Sequence, residues 1–367
     1  MRVLGFMSGT SLDGVDAAII ETDGERVLGL GPAELLPFSA DERAALIAAT
    51  EDAVRADGRG DRPASFARAE EIVLDVHVRA ARALLERDDA GSIELVGFHG
   101  QTVLHRPERR LTVQLGDPQA LARALGVPVV ADLRQADLAA GGQGAPLAPV
   151  YHAALADLIG AERPVAFLNV GGVANLSWLG RDGSMIAFDT GPGNGLIDLM
   201  VQSREAGRYD DGGRLAAAGH VDETVLSGLL GSGYFRQAGP KSLDRYDFPI
   251  DAVSGLSLED AAATLVAFTA EAVGRGAAEL PEPPCRWIVC GGGRHNPTLM
   301  RALDERLGNV ESCDASGLRG DFIEAEAFAY LAARSIRGLP ISFPATTGVS
   351  RPITGGKRWD PELDRAA

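Results

Sequence analysis

The order of apolar and polar positions along this chain predicts two successive α/β units. In the first half, short apolar runs predict strands, and alanine and leucine at helical spacing predict helices. The predicted strands cover residues 3–7, 17–20, 93–98, 111–115 and 127–131, and the predicted helices cover 41–56, 63–87 and 118–125. The pattern then starts again, with strands over 165–170, 174–179, 185–188 and 287–289 and helices over 196–205, 258–273 and 321–337. Both halves begin with a strand, a glycine-rich turn and a second strand, which predicts a duplicated, two-lobed plan.

A segment rich in glycine and proline lies between the two halves. The sequence AAGGQGAPLAP of residues 139–149 is flanked by structured patterns and is therefore predicted to be a hinge. This prediction places lobe I at residues 1–138, rejoined by the C-terminal segment 338–367, and lobe II at residues 139–337. Two glycine-rich turns facing each other across such a hinge would grip a polyphosphate from both sides.

Composition and charge restrict the possible partners. The 367 residues are 46% hydrophobic and can bury a sizeable core. Acidic residues number 51 and basic residues 35, giving a net charge of −16 that disfavours binding to nucleic acid or to an anionic membrane. Three cysteines without C-x-x-C spacing fit a reducing compartment. No apolar stretch approaches the roughly 18 residues that span a bilayer, and no signal peptide is apparent, so a cytoplasmic protein is expected.

The turn after the first strand has the sequence SGTSLDG. It could be a plain β-hairpin turn. It could also bind phosphate, because glycine lets the backbone approach an anion closely, hydroxyl groups donate to phosphate oxygens, and an aspartate can hold a metal ion. The Gly-Lys-Ser/Thr of a P-loop is absent. The residues that would line such a phosphate loop are Gly9, Thr10, Ser11, Leu12, Asp13, Gly14, Val15 and Asp16.

Two further glycine-rich turns follow predicted strands in the second half. NVGGVAN could be only a tight hairpin turn, but paired with the first turn it predicts a second phosphate loop with Asn169, Gly171 and Gly172. VCGGGRHN lies between a buried strand and a helix, which is a common place for a nucleotide in an α/β sheet, although a helix-entry turn is the simpler alternative. The nucleotide-binding candidates there are Gly291, Gly292, Gly293 and Asn296.

Three segments supply candidate groups for chemistry on a substrate. In FDTGPGNG, Asp189 ends a strand and could accept a proton from water or a hydroxyl group, or could simply form an Asx turn. In GFHGQTVLH, His99, Gln101 and Thr102 have side chains that could form hydrogen bonds with sugar hydroxyls, although a histidine here could be structural. The last helix carries two glutamates, of which one is explained by a solvated face and the other, Glu324, could contact substrate.

Eight motifs, in the same order and over nearly the whole chain, resemble those of the anhydro-N-acetylmuramic acid kinases. They are GFMSGTSLDGVDAAI, FHGQT, QLGDPQ, DLRQADLAAGGQGAPLAP, NVGGVANL, FDTGPGNGLID, CGGGRHNP and EAEAFAYLAAR. The resemblance implies a two-lobed, actin-like α/β ATPase fold of duplicated ribonuclease H-like domains, with a nucleotide and sugar cleft between the lobes. The chain departs from the family at residues 239–247, where GPKSLDRYD replaces the usual PPKSTGRE and leaves the geometry of that loop open.

The resemblance also implies an activity. The family hydrolyses the 1,6-anhydro bridge of 1,6-anhydro-N-acetylmuramic acid and phosphorylates the freed 6-hydroxyl with ATP, in peptidoglycan recycling. Asp189 would activate the water, Mg²⁺ would bridge the phosphates with Asp13 as a partner, and the protein would be a homodimer. The alternatives are a kinase for another 1,6-anhydro sugar, such as levoglucosan, and an ATP-driven switch of the Hsp70 or actin type.

Overall fold

The computed structural model describes residues 1–236, 243 and 248–361, and the chain divides into two compact units. Unit 1 comprises Met1–Leu158 and Phe322–Ala367, and unit 2 comprises Ile159–Asp321. Each unit has its own β-sheet with helices packed against it. Among the described residues, the helices are too short or too polar to traverse a lipid bilayer.

The sheet of unit 1 is mixed. Its strands are β1 (Arg2–Ser8), β2 (Gly14–Thr22), β3 (Val27–Pro37), β4 (Leu95–Arg106), β5 (Leu111–Leu115), β6 (Val129–Ala131) and β12 (Lys357–Trp359). The order is β12-β6-β4-β1-β2-β3, with β5 paired to β4. β1, β2 and β3 form an antiparallel meander, whereas β4 runs parallel to both β1 and β6.

Some of the helices of unit 1 have capping side chains at their first turn, and others do not. They are α1 (Ala40–Ala56), α2 (Ser65–Leu85), α3 (Pro118–Leu125), α4 (Gln135–Ala139), α5 (Pro149–Leu158), α11 (Ile323–Ile336) and α12 (Pro344–Thr347). Ser39 and Glu42 form a capping box at the start of α1. α3 follows the sequence expectation, since Asp117 caps its first turn and Gly126 ends it in the left-handed conformation.

Helix α11 lies directly on the central strands of the unit 1 sheet. A Cβ atom at Gly5 of β1 would overlap the carbonyl oxygen of Ala325, and one at Gly97 of β4 would overlap that of Phe328. The two glycines therefore allow a close approach that a side chain would prevent. This contact fixes the first turn of α11, which carries Glu324.

Unit 2 repeats the strand plan of unit 1. Its strands are β7 (Val165–Val170), β8 (Val173–Leu179), β9 (Met185–Pro192), β10 (Arg286–Cys290) and β11 (Val310–Ser312), in the order β11-β10-β7-β8-β9. Again the first three strands form an antiparallel meander, and the fourth is parallel to the first and the fifth. The same order and directions occur in β6-β4-β1-β2-β3, so the predicted duplicated α/β fold is confirmed.

The helices of unit 2 cover its sheet around a long buried helix. They are α6 (Gly195–Ser203), α7 (Arg214–Ala218), α8 (Glu223–Leu230), α9 (Leu258–Ala277) and α10 (Pro297–Leu307). Ser257 caps α9, whose buried residues include Leu265, Phe268 and Val273. These side chains join those of β7, β8 and β10 in one hydrophobic core. The core supports the strand ends that carry the candidate site.

The division between the units corrects the hinge expected at residues 139–149, because that segment lies inside unit 1. Buried Asp137 accepts hydrogen bonds from the Gly144 N–H and the Thr347 hydroxyl, both at 2.6 Å. The Gln143 N–H donates to the Thr347 carbonyl at 2.8 Å. The glycines and proline therefore form a turn that is tied to the C-terminal segment.

The boundaries also differ from the expected 138/139 and 337/338. The chain leaves unit 1 after Leu158 and returns at Phe322. The reason is packing, since α5 contacts β3 and α11, and α11 contacts β1, β2 and β4.

Candidate functional site

The first glycine-rich turn joins β1 to β2 in unit 1. The N–H of Leu12 donates to the Gly9 carbonyl at 3.2 Å, and Leu12 is buried with a positive φ of 56°. Thr10, Ser11 and Asp13 are exposed at the tip of the turn. The turn is therefore a hairpin that presents two hydroxyl groups and one carboxylate to solvent.

The remaining residues predicted for this loop lie in β2. Val15 is buried in the core, and Asp16 lies opposite Met7 in the strand pairing. A Cβ atom at Gly14 would overlap the carbonyl oxygen of Leu36, so this glycine is required by the packing of β2 against β3. The accessible part of the loop is limited to residues 9–13.

Three candidate phosphate-loop glycines have open space beside them. A Cβ atom at Gly9 would come no closer than 3.5 Å to Ser11 Oγ, and one at Gly171 no closer than 3.8 Å to the Val173 carbonyl oxygen. A Cβ atom at Gly172 would have no heavy atom of the described residues within 4 Å, apart from those of the adjoining residues. None of the three has a positive φ. The surrounding protein does not require glycine there, whereas close approach of a ligand to the backbone would.

Strand β4 places polar side chains with unused hydrogen-bonding atoms beside the first turn. Gln101 is fully buried, and its Nε2 donates to the Gly9 carbonyl at 3.2 Å. Gln101 Oε1, Thr102 Oγ1 and Gln114 Oε1 are buried, and none of them has a hydrogen-bond partner among the described residues. Buried polar atoms normally have partners, so each of these three atoms is a candidate for a hydrogen bond to a polar ligand. Gln114, on β5, was not identified from the sequence.

Arg134, which immediately precedes α4, is a second residue that the sequence analysis missed. Its Nε and Nη2 both lie 3.1 Å from His99 Nε2, its Nη1 donates to the Gly144 carbonyl at 2.7 Å, and its guanidinium lies over the Phe328 ring. Burial, reinforced by the Arg134 charge, holds the pKa of His99 well below its usual range. His99 is therefore neutral and can accept a hydrogen bond from the guanidinium.

The two glutamates of α11 have different surroundings. Glu326 is buried, and its carboxylate accepts a 2.7 Å hydrogen bond from the Tyr151 hydroxyl. Glu324 remains accessible to solvent. Desolvation by the surrounding protein raises the pKa of the Glu324 carboxyl group, and the nearby positive charge of Arg134 opposes that rise. Of the two, Glu324 is the one that can contact a substrate.

In unit 2, strand pairing places three polar residues in one row. Asn169 on β7 lies opposite Asn175 on β8, and Asn175 lies opposite Asp189 on β9. Residues directly opposite each other on neighbouring strands point to the same face of a sheet. Asn175 belongs to the quoted NVGGVAN motif but was not predicted to be a site residue.

Asp189 has the most strongly perturbed carboxyl group of the candidate site. Its Oδ2 accepts a 2.8 Å hydrogen bond from the Leu243 N–H, and its carbonyl accepts one from the Tyr234 hydroxyl. Burial raises the pKa of Asp189 to about 7, although the Leu243 N–H lowers it. A carboxyl group with a pKa near neutral pH can exchange protons efficiently with a reacting group. Leu243 is the one residue of the divergent segment 239–247 that lies within the described residues.

The second glycine-rich turn, between β7 and β8, is anchored through its carbonyl groups. The Gly171 carbonyl accepts from the Asn194 N–H at 2.7 Å, and the Gly172 carbonyl accepts from the N–H groups of Gly193 and Gly195 at 3.1 and 3.2 Å. The Gly171 N–H is already bonded to the Val173 carbonyl. Of the two glycines predicted to line a phosphate loop, Gly171 therefore has its N–H engaged within the turn.

The third turn follows β10 and contacts the end of β7. Gly291 has a φ of 74°, and a Cβ atom there would overlap Asn169 Oδ1. A Cβ atom at Gly293 would lie 2.6 Å from Val170 Cβ. Both glycines are therefore required for packing. Within the described part of the chain, a Cβ atom at Gly292 would meet only Asn194 Nδ2, at 3.8 Å, so this glycine has room for a ligand beside it.

The polar residues of the third turn hold the turn itself. Asn296 Oδ1 caps α10 by accepting from the N–H groups of Thr298 and Leu299. Arg294 pairs through two nitrogens with Asp321, pairs with Asp314 at 2.8 Å, and donates to the Gly291 carbonyl. Asn296 therefore has a structural role in this conformation, and Arg294 braces the glycines.

Within the described residues, no group of three or more histidine, cysteine, aspartate or glutamate side chains is arranged to hold a metal ion. Mg²⁺ usually keeps several waters and takes one or two protein carboxylates in addition to phosphate oxygens. The exposed carboxylate of Asp13, beside two hydroxyl groups, fits that kind of partial coordination.

Comparison with known proteins identifies the family. The family model described as anhydro-N-acetylmuramic acid kinase matches residues 1–360. The anhydro-N-acetylmuramic acid kinase of Phenylobacterium zucineum is 55% identical over 369 residues, covering 99% of this chain and 100% of the relative. That of Caulobacter vibrioides is 55% identical over 365 residues, covering 97% of this chain and 98% of the relative. The chain belongs to the anhydro-N-acetylmuramic acid kinase family.

Proposed function

We propose that the protein is an ATP-dependent kinase that converts 1,6-anhydro-N-acetylmuramic acid, ATP and water into N-acetylmuramic acid 6-phosphate and ADP. Family membership over residues 1–360 supports this activity. The observation that carries the mechanism is the environment of Asp189, a carboxyl group with a pKa of about 7 at the end of a strand. Such a group is suited to act as a general base near neutral pH.

In the first step Asp189 takes a proton from a water molecule as the water oxygen attacks the anomeric carbon. The bond between C1 and the bridging oxygen breaks, and the bridging oxygen stays on C6. That oxygen then attacks the γ-phosphorus of ATP in line, the bond between the γ-phosphorus and the β,γ-bridging oxygen breaks, and ADP leaves. The protein contributes mainly positioning and charge stabilisation to such a transfer.

Unit 1 supplies the groups that we assign to the sugar. Gln101 Oε1, Thr102 Oγ1 and Gln114 Oε1 are buried atoms without partners, and the hydroxyl and amide groups of the sugar would satisfy them. His99 holds Arg134 in place, and Glu324 is the accessible carboxylate nearby. These assignments follow from chemistry and burial in unit 1 alone.

Arg134 favours the N-acetylmuramic substrate over levoglucosan. The contacts of Arg134 to His99 and to the Gly144 carbonyl use three of the five guanidinium N–H groups, so N–H groups remain that can donate to a carboxylate. N-acetylmuramic acid carries a lactyl carboxylate, whereas levoglucosan has only hydroxyl groups. The unpartnered polar atoms of unit 1 likewise disfavour a pure ATP-driven switch, which has no need of a sugar-binding face.

The nucleotide assignments rest on the open glycines. Residues 9–13 and Gly172 would contact the phosphates, and Gly292 would contact the adenosine. Mg²⁺, with Asp13 as its protein partner, would neutralise charge on the phosphates. The motif resemblance further supports a homodimer that acts in the cytoplasm in peptidoglycan recycling.

The decisive experiment is turnover in water enriched in oxygen-18, with the products analysed by mass spectrometry. We expect one heavy oxygen in the sugar phosphate, on C1, and none in ADP. Levoglucosan is the control substrate, and we expect it to react at least tenfold more slowly. A sugar phosphate without heavy oxygen would contradict the mechanism, and ATP hydrolysis without any sugar product would favour the switch.

A further inference from the structure

We infer that Tyr234 is a positioning residue for Asp189, an inference that rests on the proposed function. The Tyr234 hydroxyl donates a hydrogen bond to the main-chain carbonyl oxygen of Asp189 at 2.5 Å. The two residues are 45 positions apart in sequence. Tyr234 therefore acts on the backbone that carries the catalytic carboxyl group, without contacting the reacting atoms itself.

The backbone at Asp189 needs such support because its strand pairing is irregular. Among the strands that the structure describes, β9 is at the edge of its sheet and pairs only with β8. The pairing with β8 also shifts between Ala174 and Asn175, which leaves Thr190 as an inserted residue after Asp189. Such bulges redirect side chains and interrupt the ladder of hydrogen bonds. The Tyr234 hydroxyl supplies a fixed donor at this point.

The position of Tyr234 is itself fixed by an aromatic cluster. Tyr234 lies in a short 3-10 turn, Gly233–Arg236, and packs edge-on against Phe235 and Phe248 with ring centroids 5.4 and 6.2 Å apart. Both phenylalanines pack against Phe268 of α9, at 5.8 and 5.1 Å. The hydroxyl group is thus held by the hydrophobic core of unit 2.

Asp189 is consequently held at two points. Tyr234 holds its carbonyl, and the Leu243 N–H holds its carboxylate. Asn175, opposite on β8, is uncharged. The charged residues in the second half of α9, which packs on β9, have partners of their own, since Glu271 pairs with Arg306 and Arg275 donates to the Leu230 carbonyl. The raised pKa of Asp189 therefore depends on burial, which in turn depends on the backbone staying in place.

Tyr234→Phe tests the inference, because it removes the hydroxyl group and keeps the ring. We expect kcat to fall at least tenfold while KM for ATP and for the sugar changes less than about threefold. Tyr330→Phe is the matched control, since the Tyr330 hydroxyl donates to the Glu25 carbonyl in unit 1 at 2.8 Å. This control should keep kcat within twofold of the unsubstituted enzyme. Tyr234→Phe with kcat in that same range would overturn the inference.

A double-mutant cycle separates positioning from a general loss of structure. If Tyr234 acts through Asp189, adding Tyr234→Phe to Asp189→Asn should lower the residual kcat by no more than about twofold. A further tenfold loss in the double variant would show that Tyr234 acts elsewhere and would overturn the inference.

A third measurement does not require turnover. In protein labelled with carbon-13 at aspartate carboxyl groups, the Asp189 signal is the one missing from Asp189→Asn. We expect this signal to titrate at lower pH in Tyr234→Phe, because the released carboxyl group reaches water. An unchanged titration would overturn the inference. If the unsubstituted protein failed to phosphorylate the sugar, the proposed function would fall, and this titration would still decide whether Tyr234 positions Asp189.

Discussion

Arg134 donates to His99 Nε2 through two of its guanidinium nitrogens, each at 3.1 Å. His99 is neutral because burial and the Arg134 charge lower its pKa. The histidine therefore serves as an acceptor that fixes the direction of the guanidinium group. A planar group fixed in this way can recognise a carboxylate with defined geometry.

Arg134→Met should weaken binding of the anhydro sugar specifically. We expect KM for 1,6-anhydro-N-acetylmuramic acid to rise about 10- to 100-fold, because a buried charge-assisted hydrogen bond to the lactyl carboxylate is lost. Steady-state kinetics with levoglucosan provide the comparison, since that sugar has no carboxylate and its KM should change far less. An equal loss for both sugars would mean that Arg134 supports the fold of the site rather than reading the carboxylate.

Asp189→Asn should fold and bind ATP but lose turnover. Asparagine is nearly isosteric and can still accept the Leu243 hydrogen bond, but it cannot take a proton from water. We expect kcat to fall about 10²-fold or more, with neither N-acetylmuramic acid nor its 6-phosphate accumulating. Asp182→Asn, in the exposed turn before β9, is the matched control, and its kcat should equal that of the unsubstituted enzyme. Near-normal turnover in Asp189→Asn would show that another group acts as the base, and Glu324 would be the first candidate.

The pKa of Asp189 also predicts how activity and stability depend on pH. The base form exists above its pKa of about 7, so kcat/KM should rise with pH through that value. Stability should change in the opposite direction. The folded protein keeps the Asp189 proton up to about pH 7, while the unfolded chain loses it near its ordinary pKa of 3.8, so ionisation favours unfolding as pH rises between these values.

Denaturant unfolding of the unsubstituted protein and of Asp189→Asn at pH 5 and pH 8 checks the stability prediction. The free energy of unfolding of the variant, measured relative to that of the unsubstituted protein, should rise by about 1 to 3 kcal/mol between pH 5 and pH 8. A constant difference between the two proteins would contradict the raised pKa.

Two glycine substitutions should have contrasting effects. Gly9→Val should raise KM for ATP at least tenfold with little loss of stability, because the space beside Gly9 is open and its φ is not positive. Gly291→Ala should instead lower the thermal unfolding temperature, because φ is 74° and the methyl group would overlap Asn169. Paired thermal melts and ATP kinetics distinguish the two effects. Unchanged ATP kinetics in a folded Gly9→Val variant would remove this turn from the nucleotide site.

The sequence predicted the elements whose signals are local. Apolar runs gave the positions of β1, β4 and β7–β10, and capping residues gave the bounds of α3. β3 was missed because Gly29, Gly31 and Pro32 interrupt the alternation of apolar and polar residues that indicates a strand. In the folded chain, pairing with β2 keeps this segment extended. The short edge strands β11 and β12 were missed because their sequences, VES and KRW, are mostly polar and form no apolar run.

The candidate site was predictable only where one motif contains its own chemistry. Asp189 was identified from the strand and turn around it. Arg134 was not, because its partner His99 is 35 positions away and only the fold brings them together. Asn175 was missed because its relation to Asp189 depends on strand register, which a sequence pattern does not give. The hinge was misplaced because glycine and proline content does not distinguish a flexible linker from a tightly bonded turn.

The division of unit 1 into two chain segments has a consequence for biosynthesis. Unit 2 is continuous, so the ribosome completes it before α11 emerges. Until then, the faces of β1 and β4 that carry Gly5 and Gly97 are not covered by α11. The first part of the chain to be synthesised is therefore the last to complete its core, and the nascent N-terminal sheet depends on the final stretch of translation for its burial.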